Sequence, residues 1–304
     1  MKQRSGLLWL SLLFAGHLVF CAVSALGGTK KALVQASKED LNSDPKSWRV
    51  IWAQGLMASS VSEGKKFEAR VKRSNVFSRF SEDIPWTFVK FPGMRDSGIP
   101  KFWHLNFAQK EDAEAVIKSC AEAQEENLIL YGHSRGGGSI LRSFEIMPDD
   151  IKRRIRFIVL DAPLCNSTEI IGCQKFFPRD KRAIKFIKHA WSFLDNRYDP
   201  KDTKEPINFV GEIPKDIPVF VISRGRDIFI PQSLQKALVT KMKEADLEVY
   251  FFDAEYSTHT KYEKEDINGF LSIFDLVRGK CNIPSPYNCS PKRLCEFEKF
   301  YKVS

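Results

Sequence analysis

Six apolar segments that alternate with helix-like segments constrain the fold of this 304-residue chain more than any other feature. Each has the length and the β-branched or aromatic content of a buried strand: Trp48–Ala53, Trp86–Phe91, Leu128–Tyr131, Ile155–Leu160, Pro218–Ile222 and Leu247–Phe252. The segments between them repeat apolar residues with the period of a helix, as in Ala113, Val116, Ile117 and Cys120. Because such alternation requires a sheet covered on both faces, the sequence predicts an α/β fold: a mostly parallel sheet of about six strands with helices on both faces.

One interval, between the fourth and fifth predicted strands, is far longer than a single crossover helix requires. It contains a helical pattern whose apolar side carries Ile184, Ile187, Trp191 and Leu194. We predict a helical cap insertion over about residues 165–215 that arches over the carboxyl ends of the strands. The alternative is that these apolar side chains belong to the core.

A serine follows the third predicted strand in the sequence LILYGHSRGGG, where Gly132 and Gly136 flank Ser134 in a Gly-x-Ser-x-Gly pattern. This pattern predicts a strained turn between a strand and a helix, which raises one hydroxyl clear of the sheet. A serine hydroxyl is a poor nucleophile at neutral pH. It therefore needs an adjacent base, and the base needs an acid that fixes its tautomer.

The candidate base is His259, which follows the last predicted strand in FFDAEYSTHTKYEKED. His133 is expected to point away from the serine, while His104 precedes any suitable position and His189 belongs to the insertion. The candidate acid is Asp227 in VFVISRGRDIFIPQS. Asp161 in IVLDAP is its rival, because it too ends a strand. The order Ser134, Asp227, His259 is the order expected when an elbow serine heads the triad.

An acyl-transfer site also needs donors aimed at the oxyanion, and two backbone amides are candidates. In VIWAQGLMASS, Gly55 lets the backbone turn so that the amide of Leu56, or of Met57, can face the serine. The second amide is that of Arg135, which follows the nucleophile at a helix N-terminus. The Arg135 side chain and the net charge of +9 also hint at an anionic substrate.

From about Trp48 to Val277 the motifs QGLM, FPGMRDSG, GHSRGG, LDAP, SRGRD and STH occur in an order that resembles the α/β-hydrolase superfamily. The resemblance implies an α/β-hydrolase fold in which Ser134, Asp227 and His259 are nucleophile, acid and base. It also implies that the amides of Leu56 and Arg135 form the oxyanion hole. The implied activity is that of a serine hydrolase, an esterase or lipase-like enzyme acting on a small-molecule or lipid acyl ester, without metal or cofactor.

Two features depart from that family pattern. Gln54-Gly55 stands where many members have His-Gly, which changes the polar wall of the pocket. Only about twenty residues separate the apolar N-terminal segment, residues 1–25, from the first predicted strand, so the two usual N-terminal strands are expected to be missing or vestigial. The sequence is also compatible with a serine peptidase or thioesterase on the same fold, and with a catalytically silent binding protein. Nucleic-acid binding is not predicted, because Lys and Arg do not cluster with stacking aromatics.

The N-terminal sequence MKQRSGLLWLSLLFAGHLVFCAVSAL has a basic start, an apolar run and small residues, which is typical of a secretory signal. We predict a signal peptide over residues 1–25, or an uncleaved membrane anchor through residues 6–26. The hydrolase domain then spans residues 26–278, and a Cys- and Pro-rich tail spans residues 279–304. Either reading predicts an exported protein; oligomeric state is left open.

Export permits disulfide bonds, and the cysteines are predicted to form them rather than to bind zinc. Cys165 and Cys173 bracket a short loop, while the tail holds Cys281, Cys289 and Cys295. Cys120, on an apolar helix face, is predicted to be a buried thiol. In a eukaryotic host, Asn166 and Asn288 would match the glycosylation sequon.

Overall fold

The computed structural model describes residues 47–55, 84–92, 108–173, 182, 189, 202, 204–259 and 264–280, all within the compact unit Asn42–Ser304. One sheet contains β1 (Trp48–Ala53), β2 (Trp86–Phe88), β3 (Asn127–His133), β4 (Ile155–Asp161), β5 (Val219–Arg224) and β6 (Val249–Ala254). Its strand order is β2-β1-β3-β4-β5-β6, and every neighbouring pair is parallel. The prediction of a parallel six-stranded sheet is confirmed.

Helices cover both faces of this sheet. The described helices are α1 (Lys110–Glu122), α2 (Arg135–Ser143), α3 (Asp149–Lys152), α4 (Ser167–Cys173), α5 (Gln232–Glu244) and α6 (Lys264–Lys280), with a 3₁₀ helix at Pro206–Glu212. Successive residues of a strand point to opposite faces, so Leu128 and Leu130 of β3 join one buried cluster while Ile129 and Tyr131 join the other. Helices α1, α2, α3 and α5 pack in the first cluster and α6 packs in the second.

The strand boundaries differ from the predicted ones by a few residues. The second strand ends at Phe88 rather than Phe91, because it pairs only with β1, which itself ends at Ala53. Strands β5 and β6 each run two residues further toward their carboxyl ends than predicted. Leu247 is buried but precedes β6, where its amide donates to the carbonyl of Met242 and closes the turn after α5.

The strand order decides where a site can form. The chain passes from β1 outward to β2 and then returns across β1 to β3, from which it continues in the opposite direction. In sheets of this kind ligands bind at the carboxyl ends of the strands, where the winding direction changes. Here that position is the carboxyl end of β3, between β1 and β4.

The two ends of the predicted cap insertion meet just after β4. The Glu205 carboxylate accepts hydrogen bonds from the Ser167 amide at 2.7 Å and from the Thr168 hydroxyl at 2.6 Å. Beside them, the Ile207 amide donates to the carbonyl of Cys165 at 2.9 Å. The chain therefore leaves and returns at one point; most of the insertion, with Trp191, lies outside the described residues.

Two of the cysteines can be assigned. Cys120 is a buried thiol on α1, as predicted. The expectation that Cys165 joins a disulfide is wrong, because its thiol is free and lies beneath α5, with the sulfur 3.7 Å from the carbonyl oxygen of Leu234. Burial raises the pKa of both thiols to about 12. The side chain of Cys173 and the tail cysteines lie outside the described residues.

The predicted signal or anchor, residues 1–25, and the tail from residue 281 lie outside the described residues. Within the described ranges, none of the helices combines the length and the apolar composition that a membrane span requires.

Candidate active site

Ser134 occupies a strained turn between β3 and α2. Its φ of 54° and ψ of −119° are unfavourable for a residue that carries a Cβ atom. Such strain costs about 1–3 kcal/mol and persists only when the surroundings fix it. Here the Ser134 amide donates to the carbonyl of Asp161 at 2.9 Å, and the Ser134 carbonyl accepts from the amide of Leu164 at 2.8 Å. Backbone hydrogen bonds on both sides therefore hold the serine in its turn.

The structure brings Ser134, His259 and Asp227 together. The Ser134 hydroxyl lies 3.0 Å from Nε2 of His259, and Nδ1 of His259 lies 2.6 Å from the Asp227 carboxylate. Because a carboxylate only accepts hydrogen bonds, Nδ1 donates to Asp227 and Nε2 is left to accept from the serine. The Asp227 side chain is buried and that of His259 is 13 % exposed, so the pair is largely shielded from water.

The loop after β5 fixes the orientation of Asp227. Its other carboxylate oxygen accepts the amides of Phe229 at 2.8 Å and Ile230 at 2.9 Å. The rival acid, Asp161, is engaged elsewhere: the buried guanidinium of Arg224 donates to both of its carboxylate oxygens, at 2.7 and 2.6 Å. The imidazole of His259 is thus paired with Asp227 and not with Asp161.

The backbone around the serine is closely packed. A Cβ atom added at Gly136 would lie 1.9 Å from the carbonyl oxygen of Ala53, so α2 begins in direct contact with the end of β1. A Cβ at Gly55 would lie 3.3 Å from the Cβ of Ser134, which places the end of β1 beside the serine. Leu56 itself lies outside the described residues. Arg135 is the first residue of α2, where an amide has no acceptor within the helix.

The Arg135 side chain does not face the site. Its guanidinium donates to both carboxylate oxygens of Asp112 at 2.6–2.7 Å, and it lies over the ring of Phe91. Both partners of this ion pair are buried. The hint that Arg135 attracts an anionic substrate is therefore wrong, since its charge is already paired with Asp112 of α1.

The His133 side chain contacts the loop that carries the base. Its Nε2 lies 2.8 Å from the carbonyl oxygen of His259, so it donates a hydrogen bond there. Burial is the main cause that lowers the pKa of His133 to about 4; Arg224 and His259 lower it further, whereas Asp161 raises it. At neutral pH the ring is therefore uncharged.

This lowered pKa should make stability depend on pH. Between pH values of roughly 6.5 and 4 the unfolded chain binds a proton at His133 and the folded chain does not, so the free energy of unfolding falls as the pH falls. Because His133 keeps some solvent exposure, we expect a loss of about 2 kcal/mol from this residue. In His133→Gln the amide can still donate to residue 259. Urea unfolding at neutral and acidic pH should show a smaller loss in the variant; equal losses would contradict the assignment.

Among the residues that the structure describes, no group of three or more His, Cys, Asp and Glu side chains is arranged to hold a metal ion.

No protein-family model and no curated protein matches the sequence. Solved structures do resemble it. The chain is 17 % identical to an esterase of Pyrococcus furiosus, with a TM-score of 0.53, covering 79 % of this chain and 84 % of that one. Mouse alpha/beta hydrolase domain-containing protein 10 gives a TM-score of 0.50 at 14 % identity, covering 76 % and 90 % of the two chains. A puromycin-hydrolysing peptidase of Mycobacterium tuberculosis gives a TM-score of 0.55 at 11 % identity; 79 % of this chain matches only 35 % of that one. With the strand order, the elbow and these neighbours together, the chain has the α/β-hydrolase fold.

Proposed function

We propose that the protein is a serine hydrolase that cleaves carboxylic esters through an acyl-enzyme on Ser134. The observation that carries this proposal is the continuous hydrogen-bonded series from Ser134 through His259 to Asp227, at 3.0 and 2.6 Å. Each of these residues lies near the carboxyl end of a different strand, β3, β6 and β5. A serine in this geometry has both a proton acceptor and a partner that stabilises the resulting imidazolium.

The reaction follows from those contacts. The Ser134 oxygen attacks the acyl carbon while its proton passes to Nε2 of His259, and Asp227 stabilises the positive imidazolium. The tetrahedral oxyanion accepts from the backbone amide of Arg135 and, in our proposal, from that of Leu56. His259 then protonates the leaving alcohol as the ester bond breaks. Water repeats the sequence on the acyl-enzyme, releasing the acid and restoring the serine.

Apolar side chains beside the base favour an ester with an apolar group. Phe229 meets the ring of His259 edge-on at 5.4 Å between centroids and remains 52 % exposed. Ile228, between Phe229 and the acid, is 78 % exposed. Large apolar side chains left in contact with water next to a catalytic group can bury an apolar part of a substrate. Export of the enzyme is proposed from the N-terminal sequence alone.

A fluorophosphonate probe tests the nucleophile directly. Because the probe's phosphorus is attacked only by an activated serine, we expect stoichiometric labelling of the purified protein, with the added mass on the peptide that contains Ser134. Ser134→Ala should abolish labelling. Ser143→Ala is the matched control: its hydroxyl is buried in α2 and donates to the carbonyl of Ile140, so labelling should persist.

A panel of p-nitrophenyl esters of increasing acyl length, beside aminoacyl amides, assigns the substrate class. Faster turnover of the esters supports an esterase, and we expect the longer chains to react well because of Phe229 and Ile228. Faster turnover of the amides would replace the esterase proposal with a peptidase. A folded protein that neither reacts with the probe nor hydrolyses any substrate would favour the catalytically silent binding protein.

A further inference from the structure

The loop that delivers His259 is held by donors from three different places. The carbonyl of Ser257 accepts from the Arg226 amide at 3.1 Å. The carbonyl of Thr258 accepts from the Arg224 guanidinium at 2.9 Å, and that of His259 accepts from the His133 ring at 2.8 Å. Three consecutive carbonyls are therefore fixed just where the chain must present the imidazole.

Arg224 reaches Thr258 because Asp161 holds its guanidinium in one orientation. The guanidinium uses Nε and Nη2 to grip both oxygens of Asp161, which leaves Nη1 pointing at the Thr258 carbonyl. The Asp161 carboxylate also accepts from the Tyr131 hydroxyl at 3.2 Å. Both charged side chains are almost completely buried, at 1 % and 0 % exposure. A planar guanidinium held in this way directs its third donor at one acceptor, which a lysine ammonium cannot do.

Asp161 also supports the nucleophile, through its main chain. Its carbonyl accepts the Ser134 amide at 2.9 Å, while its carboxylate acts on the histidine loop through Arg224. One residue at the end of β4 is thus linked to both the serine and the base. Stability alone does not explain a charged pair here, because a buried ion pair is often no more stabilising than apolar residues of the same size.

We propose that the Asp161–Arg224 pair is a positioning element that fixes the backbone at Thr258 and so sets the distance between His259 and Ser134. This inference rests on the proposed function of that site. The pair touches neither reacting atom, so it acts through the placement of the imidazole. A displacement of about 1 Å in a reacting group can cost roughly 100-fold in rate.

Arg224→Lys is the first test, because lysine keeps the charge beside Asp161 but lacks the third fixed donor. We expect kcat on a p-nitrophenyl ester to fall roughly 10- to 100-fold and labelling by the fluorophosphonate to slow to a similar extent. KM should change less than about two-fold, since the loop is held and not the substrate. The low-field proton resonance of the His259–Asp227 hydrogen bond should shift or broaden.

Arg49→Lys is the matched control. The Arg49 guanidinium also donates to both carboxylate oxygens of one residue, Glu125, through Nε and Nη2. Its Nη1 donates to the Thr87 hydroxyl at 2.8 Å. It lies near the amino end of β1, opposite the site, and should leave kcat and the proton resonance unchanged. If Arg224→Lys does not fold, the double variant Asp161→Asn with Arg224→Gln removes both buried charges and should show the same fall in kcat.

The outcomes separate this inference from the function on which it rests. Wild-type protein that does not label at all contradicts the serine hydrolase itself. Wild-type protein that labels, with a folded Arg224→Lys that labels and turns over at the same rate, overturns the positioning role alone. A rise in KM with unchanged kcat would also overturn it, because the pair would then act on substrate binding.

Discussion

Ser134→Ala is expected to lower kcat for ester hydrolysis by roughly 10⁴- to 10⁶-fold, and His259→Ala by a similar factor. The reason is that the two side chains act as one unit: without the base the hydroxyl stays protonated, and without the hydroxyl the base has nothing to activate. Their 3.0 Å contact makes that dependence direct. The double variant should therefore be about as active as either single variant, because the losses do not add. Steady-state kinetics on one ester, with thermal unfolding as a check on folding, measures all three.

The control for this series is Ser143→Ala, in the same helix but remote from the imidazole, which should keep its kcat. Multiplicative losses in the double variant would mean that Ser134 and His259 contribute independently. Retention of most activity in Ser134→Ala would place the nucleophile elsewhere. Either result would end the acyl-enzyme proposal as stated.

Gly136→Ala is expected to destabilise the fold by about 4 kcal/mol or more, which is exceptional for one methyl group. The added Cβ would lie 1.9 Å from the carbonyl oxygen and 2.2 Å from the carbonyl carbon of Ala53. These are backbone atoms of β1, so no side-chain rotation can relieve the clash, and α2 would have to move away from the sheet. Urea unfolding of the purified variant measures the loss, and activity should fall with it because α2 carries the Arg135 amide.

Gly211→Ala is the matched control for that change. Gly211 lies in the 3₁₀ helix, and among the described residues no atom outside its own helical turn comes within 4 Å of an added Cβ. The free energy of unfolding of Gly211→Ala should stay close to that of the wild type. Equal losses in the two variants would show that glycine flexibility, and not the contact with β1, decides the effect.

Much of the fold could be predicted from the sequence because the sheet is parallel and buried. A strand that is covered on both faces has an uninterrupted apolar sequence. Trp48–Ala53 is such a strand, and both of its ends were predicted correctly. The edge strand at Trp86 was predicted too long, since pairing with a single neighbour decides its length. The apolar run itself continues beyond Phe88 and gives no local signal of that end.

The site was harder to predict, because some of its contacts join residues that are far apart along the sequence. The motif around Ser134 is local, and the order of Asp227 and His259 along the chain is readable in one dimension. The contacts of Arg224 with Asp161 and Thr258 join residues that are far apart in sequence. A signal did exist: Asp161 and Arg224 are charged residues at the carboxyl ends of two apolar strands, which become neighbours in the sheet. The hydrogen bond from His133 to the carbonyl of His259 had no such signal.

The meeting of the two insertion ends at Glu205 has a practical consequence for protein engineering. Because Ser167 and Thr168 donate hydrogen bonds to Glu205, the two ends of the intervening segment lie side by side. Segments whose ends lie close together tolerate exchange well, since the host backbone need not move to accept a replacement. We therefore expect that this segment can be exchanged for another of different length or sequence with little change to the sheet, while Ser134, Asp227 and His259 keep their places.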